Sequence, residues 1–159
     1  LLGIVGAEKA VFAQIGDGAI VYYDREFARY KTVFWPDNGD YLNLTSFVSS
    51  ANLEENLQVT SIEGAIDLVA MLTDGLELLA LDFRQKIAHG PFFAPMFERL
   101  SNTKRPAELE SGLRNFLQSE AVNERTDDDK TLIICSRVTE ILQSAGELIS
   151  FAPYDSASD

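Results

Sequence analysis

The sequence predicts a mixed α+β domain, in which a largely antiparallel sheet or sandwich is followed by helices. Six short β-rich runs, separated by short turns, lie within about seventy residues, which is typical of antiparallel sheets. Beyond these runs, apolar residues recur at helical spacing. The length of 159 residues and the hydrophobic content of 46% are those of one ordinary globular domain with a proper core.

The first two internal β-rich runs predict a hairpin. Residues 10–15 and 19–23 are separated only by Gly16, Asp17 and Gly18. Two runs joined by a short glycine-containing turn are typical of strands that pair with each other. Turn chemistry alone accounts for Asp17, because Asp and Gly both tolerate unusual backbone dihedral angles.

Four further strands are expected, with polar loops at 36–40 and 52–56; they cover residues 31–35, 45–50, 58–62 and 68–72. The last run is apolar throughout, which is typical of a strand buried on both faces. It leads directly into Thr73, Asp74 and Gly75. Asp74 therefore has two possible roles. As a carboxylate at a strand end it can be a metal ligand, or it can cap the next helix.

Two helices are predicted in the second half of the chain. Apolar residues at helical spacing indicate a first helix over residues 76–88, ended by the sequence His-Gly-Pro at 89–91. Pro106 favours the start of a second helix, whose apolar face is Leu109, Leu113, Phe116 and Leu117. The two helices could pack as an antiparallel pair on one face of the sheet. Between them lies an aromatic cluster that we expect in the core, comprising Phe92, Phe93, Met96, Phe97 and Leu100.

A second set of carboxylates precedes the last predicted strand, residues 131–136. If this strand is the antiparallel neighbour of the strand before Asp74, then Asp128 and Asp74 lie at the same edge of the sheet. Two carboxylates about 4 Å apart repel by roughly 4 kcal/mol at an effective dielectric of 20, whereas a domain is stable by only about 5–15 kcal/mol. Such a cluster must protonate, spread apart or bind a cation. Oxygen ligands select hard ions, namely magnesium, manganese or calcium.

Charge and composition exclude several function classes. The chain has 13 basic and 25 acidic side chains and a net charge of -12, which argues against a nucleic-acid partner. No apolar run approaches the length of a membrane span, so we expect no membrane partner. A single cysteine, Cys135, allows no internal disulfide framework and favours a cytoplasmic location. We expect Cys135 to be a small core residue, and His89, the only histidine, to be a loop or surface residue without a zinc site.

Three segments in order resemble the signature segments of metal-dependent, type 2C protein serine/threonine phosphatases, bacterial branch. They read Phe-Ala-Gln-Ile-Gly-Asp-Gly at 12–18, Leu-Thr-Asp-Gly at 72–75 and Thr-Asp-Asp-Asp-Lys-Thr-Leu at 126–132. Residues 34–41, followed by Asn43 and Thr45, and residues 88–93 also resemble that branch.

The resemblance implies an α+β fold, an antiparallel β-sandwich of the type 2C phosphatase kind with flanking helices. It further implies a site with two or more magnesium or manganese ions. There a metal-activated water hydrolyses phosphoserine or phosphothreonine of a phosphoprotein substrate. By motif position, Asp74 and Asp128 match metal ligands, and Asp17 matches an Asp associated with a third, weaker metal in some members. Gly75, Asp127 and Asp129 would support the site, with the register among the three consecutive Asp residues left open.

The family's N-terminal segments have no match in this chain. These are an acidic strand, an Asp-Gly-His-Gly segment with the bridging carboxylate, and a phosphate-binding arginine. The chain opens as if in mid-strand at Leu1–Val5. We therefore expect residues 1–152 to be the C-terminal portion of one catalytic domain, with the N-terminal part missing, and residues 153–159 to be a flexible tail.

These expectations carry two consequences and two alternatives. The residues of this chain alone should not form a complete two-metal site, so the chain alone should be inactive. No catalytic residue beyond the metal ligands is identified. The exposed sheet edge at Leu1–Val5 would pair with the missing half or with a partner chain. One alternative is a non-catalytic, phosphatase-like regulatory or interaction domain. The other is an acidic β-protein whose carboxylates are only turn and cap residues.

Overall fold

The computed structural model describes residues 1–36 and 53–138. Several predictions fall outside these ranges. They are the strand at 45–50, most of the loop at 36–40, the family-like residues up to Asn43 and Thr45, and the tail at 153–159.

Nine strands and five α-helices are formed by the described residues. The strands are β1 (Leu2–Val5), β2 (Lys9–Gln14), β3 (Ala19–Asp24), β4 (Arg29–Thr32), β5 (Gln58–Glu63), β6 (Leu68–Leu72), β7 (Leu81–Asp82), β8 (Ile87–Ala88) and β9 (Leu132–Ser136). The helices are α1 (Leu53–Asn56), α2 (Glu77–Ala80), α3 (Gly90–Asn102), α4 (Glu110–Leu117) and α5 (Glu120–Asn123). Short 3-10 turns at Asp74–Leu76 and Pro106–Leu109 lead into α2 and α4.

The strands form antiparallel sheets. A three-stranded sheet has the order β1-β2-β5, and a four-stranded sheet has the order β4-β3-β6-β9. Strands β7 and β8 form a small separate hairpin. The predicted mixture of antiparallel sheets and helices is therefore confirmed.

Two apolar clusters form the core. One lies between the two sheets and joins Ala10 and Phe12 of the three-stranded sheet to Ile20 and Val69 of the four-stranded sheet. The other lies between the opposite face of the four-stranded sheet and the helices. Its buried members include Val21, Ala70, Leu72, Leu76, Phe93, Phe97, Val122 and Leu132. The expectation that the aromatic segment belongs to the core is confirmed for Phe93 and Phe97.

The predicted hairpin between residues 10–15 and 19–23 is wrong. Strand β2 pairs with β1 and β5, so both of its edges are occupied. Strand β3 pairs with β4 and β6 in the other sheet. Ala19, Ile20 and Val21 are all fully buried, which requires apolar layers on both faces of β3. The turn with Asp17 therefore carries the chain from one sheet to the other.

The predicted helix over residues 76–88 is also wrong, because only Glu77–Ala80 forms an α-helix there. The chain then enters the β7–β8 hairpin. The carboxylate of Asp82 accepts hydrogen bonds from the backbone N–H groups of Arg84 and Gln85, at 2.9 and 3.0 Å. Such a local side-chain bond competes with helix continuation and closes the turn instead.

The second predicted helix begins at Pro106, as expected. The sequence His-Gly-Pro at 89–91, by contrast, lies at the start of a helix and not at the predicted end of one. Pro106 opens the 3-10 turn that continues into α4. His89 and its neighbours do not end a helix; the chain enters α3 at Gly90, with Pro91 in the first turn. His89 itself is exposed, as predicted. The strand expected at 31–35 lies earlier in the chain, since β4 spans Arg29–Thr32.

Cys135 is exposed and is not the predicted core residue. It pairs across the sheet with Val69, which faces the cluster between the two sheets. Strand β9 lies at the edge of the four-stranded sheet. The three described strands opposite do not cover this edge, and Ile133 on the same face is 54% exposed. None of the described helices is long and apolar enough to cross a membrane.

Candidate metal site

The ends of two neighbouring strands bring Asp74 and Asp128 to one end of the four-stranded sheet. Strands β6 and β9 are antiparallel, and Leu72 pairs with Leu132. Asp74 follows the end of β6, and Asp128 precedes the start of β9. The conditional prediction that these strands are antiparallel neighbours is therefore confirmed, and the two acidic loops lie side by side.

Thr73 ties these two loops together. Its N–H donates to the carbonyl of Thr131 at 3.2 Å, and the N–H of Thr131 donates to Thr73 Oγ1 at 3.0 Å. The Thr73 hydroxyl in turn donates to the carbonyl of Asp129 at 3.2 Å. Sequence analysis gave Thr73 no role. The feature of the sequence that could have indicated this role is a hydroxyl side chain directly between the strand end and Asp74.

Gly75 allows the loops to approach closely. A Cβ atom on Gly75 would collide with the carbonyl oxygen of Asp129 and would lie 3.4 Å from Asp128 Cβ. The glycine is buried, although Asp74 beside it is exposed. Any side chain at this position would push the loop with Asp128 and Asp129 away from the loop with Asp74.

The turn with Asp17 reaches the same end of the sheet from the other side of β6. Ala19 pairs with Leu72, and a Cβ atom on Gly18 would lie 2.6 Å from the carbonyl oxygen of Leu72. Gln14 fixes the turn from inside. Its buried side chain donates from Nε2 to the carbonyls of Gly16 and Gly18, at 3.3 and 2.6 Å. The sequence pattern gave no indication of this role for Gln14.

The predicted ligands are exposed, and their own loops already use some of their oxygens. Asp74 Oδ1 accepts the N–H of Gly75 at 2.9 Å, and Asp128 Oδ1 accepts the N–H of Asp129 at 2.8 Å. Asp17 and Asp127 are exposed as well.

Glu77 is a further acidic residue at this end of the sheet, and sequence analysis missed it. Its side chain is buried, with the residue 8% exposed. Burial, followed by the negative charges of Asp17 and Asp74, raises the pKa of the Glu77 carboxyl to about 7. The available signal was its position three residues after Asp74, which places two helical side chains on the same face.

The donor chemistry of these residues suits a hard cation, but the set is incomplete. All donors are carboxylate oxygens, which bind magnesium, manganese or calcium. Glu77 Oε1 is buried and has no hydrogen-bond partner among the described residues. Within residues 1–36 and 53–138, however, no three acidic or other metal-binding side chains stand close enough to hold an ion by themselves. The described residues therefore do not form a complete cation site.

An open groove of about 540 Å³ lies beside Asp128 and Asp129, between α4 and the start of β9. Two basic side chains line it, and both have partners. Arg114 forms a 2.9 Å ion pair with Glu110, and Lys130 donates to Asn123 Oδ1 at 2.9 Å.

Comparison with known proteins supports the resemblance seen in the motifs. A family model described as protein phosphatase 2C matches residues 1–118. The chain is 36% identical, over 136 residues, to serine/threonine-protein phosphatase 3 of Escherichia coli (strain K12). The alignment covers 84% of this chain and 53% of that relative, so the chain spans about half the relative's length. No solved structure is significantly similar to the chain.

The matched region contains Asp17, Asp74 and Gly75 and ends before Asp127. It comprises 118 of the 159 residues, which is well over half of the chain. The chain therefore belongs to the protein phosphatase 2C family.

Proposed function

We propose that this chain forms the C-terminal part of a magnesium- or manganese-dependent protein serine/threonine phosphatase. The observation that carries the proposal is the meeting of the Asp74 and Asp128 loops at one sheet end, in a chain of the protein phosphatase 2C family. A strand end on a packed sheet is a rigid position for a ligand. The substrate would be a phosphoprotein, and the protein would act in the cytoplasm.

In this proposal each residue has a defined task. Asp74 and Asp128 would hold the main ions, and Asp17 would bind a weaker one, while Asp127 and Asp129 support the loop. The ions would supply activation of water and neutralisation of charge on the phosphoryl group. Thr73 and Gly75 would set the spacing between the two loops through the contacts described above. The bridging carboxylate and a phosphate-binding arginine would come from outside this chain.

The edge of β1 is proposed as the place where those outside residues join the sheet. Among the described strands, β1 pairs with β2 alone. Its exposed residues include Leu2 and Ile4, which are 57% and 63% exposed. An edge strand with free backbone groups can accept another strand. The added strand would belong to the rest of the protein or to a second chain.

Hydrolysis of a phosphothreonine peptide tests the proposed activity. The protein that the gene encodes in full should release phosphate with manganese and should not do so with EDTA. Asp74→Asn should reduce the rate by at least about 100-fold, because it removes a ligand charge. Glu98→Gln removes the same charge from an exposed site on α3 and should leave the rate unchanged.

The second candidate is a non-catalytic, phosphatase-like interaction domain. One observation favours it: the described acidic residues do not form a three-ligand group. If the full protein shows no turnover and binds no manganese, the carboxylates are structural and this second candidate is correct.

A further inference from the structure

We propose that one further extended strand pairs with the free edge of β1 and covers the inner face of β9, where Ile133 and Cys135 are exposed. The strand would come from the rest of the full-length protein and would carry apolar side chains at the positions that face β9. This inference rests on the proposed joining of further chain at β1, and it adds where that chain lies, what it covers and what its side chains must be.

Two contacts with the other sheet show that β1 lies opposite β6. A Cβ atom on Gly3, in the middle of β1, would lie 2.5 Å from Met71 Cε of β6. Arg137, directly after β9, donates from Nη2 to the carbonyl of Gly6, directly after β1, at 2.6 Å. The side chain of Arg137 therefore crosses from the edge strand of one sheet to β1 of the other.

The free edge of β1 is on the side of β9. On its other side β1 pairs with β2, and β2 lies over β3, since Phe12 and Ile20 are buried together in the cluster between the sheets. In the four-stranded sheet, β9 follows β6 on the side away from β3. Neighbouring strands of a sheet lie about 4.8 Å apart. One more strand beside β1 would therefore fall opposite β9.

The inner face of β9 is uncovered at this position. Ile133 and Cys135 pair across the sheet with Met71 and Val69, so they share the face that is turned toward the other sheet. Val69 is 5% exposed, whereas Ile133 is 54% exposed and Cys135 is exposed as well. The apolar layer between the sheets therefore ends at β6. A strand opposite β9 would extend this layer and remove both side chains from water.

A single extended segment satisfies both features. Its backbone would bond to the N–H and C=O groups that β1, an edge strand among those described, leaves unpaired. Successive side chains of a strand point to opposite faces, so every second one would reach Ile133 and Cys135. These must be apolar, and β-branched side chains suit such a pleated surface. A helix could cover β9 but would leave the edge of β1 unpaired.

A second copy of this chain fits the gap poorly. Pairing of two β1 edges would bring Gly3 and Val5 of the copy to the inner face, because these residues pair with Phe12 and Ala10. Gly3 has no side chain to place on Ile133. A longer protein is the better source of the strand. The chain spans 53% of its relative, so a protein of the relative's length has about as much chain again.

Chemical labelling of Cys135, the single cysteine of this chain, tests the inference. We would treat the protein that the gene encodes in full with iodoacetamide and follow the tryptic peptide of residues 131–137 by mass spectrometry. Glu98→Cys, on the exposed side of α3, is the control for an open thiol. Each rate is divided by the rate of the same thiol in guanidinium chloride. We expect Cys135 to react at least about 100-fold more slowly than the control.

Hydrogen exchange of β1 shows whether a strand provides the protection. In an edge strand, about every second amide points away from its neighbour and exchanges quickly. If β1 is paired on both edges, all amides of Leu2–Val5 exchange slowly in the full gene product. Residue-resolved exchange by nuclear magnetic resonance measures this pattern.

Three results would overturn the inference. Reaction of Cys135 as fast as the control would show that the inner face of β9 stays open. Protection that is lost on dilution would show that a second copy covers it. Protection of Cys135 with fast exchange at alternate amides of β1 would show that something other than a strand lies there.

Neither readout depends on metal or on activity, so the two proposals can fail separately. A protected Cys135 and slow exchange throughout β1, in a protein without phosphatase activity, would support this inference while the proposed function falls. A reactive Cys135 in an active, manganese-dependent phosphatase would overturn this inference and leave the proposed function standing.

Discussion

The outer faces of the two sheets differ in how they are covered. The four-stranded sheet packs its outer face against helices, and Phe93 and Phe97 of α3 are fully buried there. The outer face of the three-stranded sheet is open. Its apolar side chains are exposed by 37% to 63% at Leu2, Ile4, Val11 and Val59. Both sheets share the apolar cluster on their inner faces.

This difference explains where a precise site can be built. The loop of Asp74 extends from β6, which is packed on both faces, and the loop of Asp128 extends from the edge strand β9, which packs against helices on one face. A strand end held by packing keeps its side chains in fixed positions. The open sheet contributes Gln14, whose buried side chain fixes the turn of Asp17. The candidate site therefore lies at the end of the sheet that packs against the helices.

The largest effect is expected at the covered face. Phe97→Ala removes a buried ring that stacks on Tyr30, with ring centroids 5.7 Å apart. We expect the free energy of unfolding to fall by about 3–5 kcal/mol, since the ring leaves a cavity between helix and sheet. Urea denaturation measures this loss. A loss below about 1 kcal/mol would contradict the assignment of this face as the main core.

The next effect is expected between the two acidic loops. Gly75→Ala places a methyl group against the carbonyl of Asp129, and we expect destabilisation by about 1–3 kcal/mol. Gly112→Ala is the matched control, because a Cβ atom there meets nothing within 4 Å and Gly112 lies inside α4. That control should stabilise the protein by roughly 0.5–1 kcal/mol. Equal effects at both glycines would show that the loops are not in close contact.

A smaller effect concerns the pH dependence of stability without metal. The pKa of Glu77 is about 7 in the folded protein, against 4.5 as its ordinary value. The folded state therefore binds this proton more tightly. Its contribution to stability is complete below about pH 4.5 and is lost as pH rises through about 7. In EDTA, the unsubstituted protein should lose about 1–2 kcal/mol relative to Glu77→Gln between roughly pH 5 and 8, allowing for solvent screening. Parallel stability curves for the two proteins would contradict this prediction.

The smallest effect is expected on the open face. Val59 is 59% exposed on β5, opposite Ala13 of β2. Val59→Thr keeps the β-branched shape, and we expect the free energy of unfolding to change by no more than about 0.5 kcal/mol. Urea denaturation beside Phe97→Ala makes the comparison direct. A loss as large as that of Phe97→Ala would mean that the open face is covered.

Much of the candidate site could be predicted because its strands are strongly patterned. The apolar runs before Asp74 and after Asp128 identified β6 and β9, and strand-end carboxylates follow from sequence position alone. Which strands pair with each other could not be predicted from these local patterns. Strands β2 and β3 are adjacent in sequence and joined by a tight turn, yet they belong to different sheets because β2 has both edges occupied.

Other differences arise from contacts that local pattern does not contain. The apolar spacing at 76–88 fits a helix, but the Asp82 carboxylate binds backbone N–H groups and turns the chain. Cys135 lies in an apolar run, but its exposure depends on how far the opposite sheet extends. From the sequence, Glu77 is predicted to be an exposed acidic residue near the start of a helix. Its burial depends on the packing around α2, which the local sequence does not contain.

The most direct test of the account is the binding of manganese by the full gene product with Asp74→Asn, Asp128→Asn and both substitutions together. If the two loops hold ions jointly, each single substitution removes most of the binding and the double substitution adds little, because the two residues act as one unit. Electron paramagnetic resonance of the free ion measures this directly. Unchanged manganese binding in both single variants would contradict the claim that the ends of β6 and β9 form a metal site.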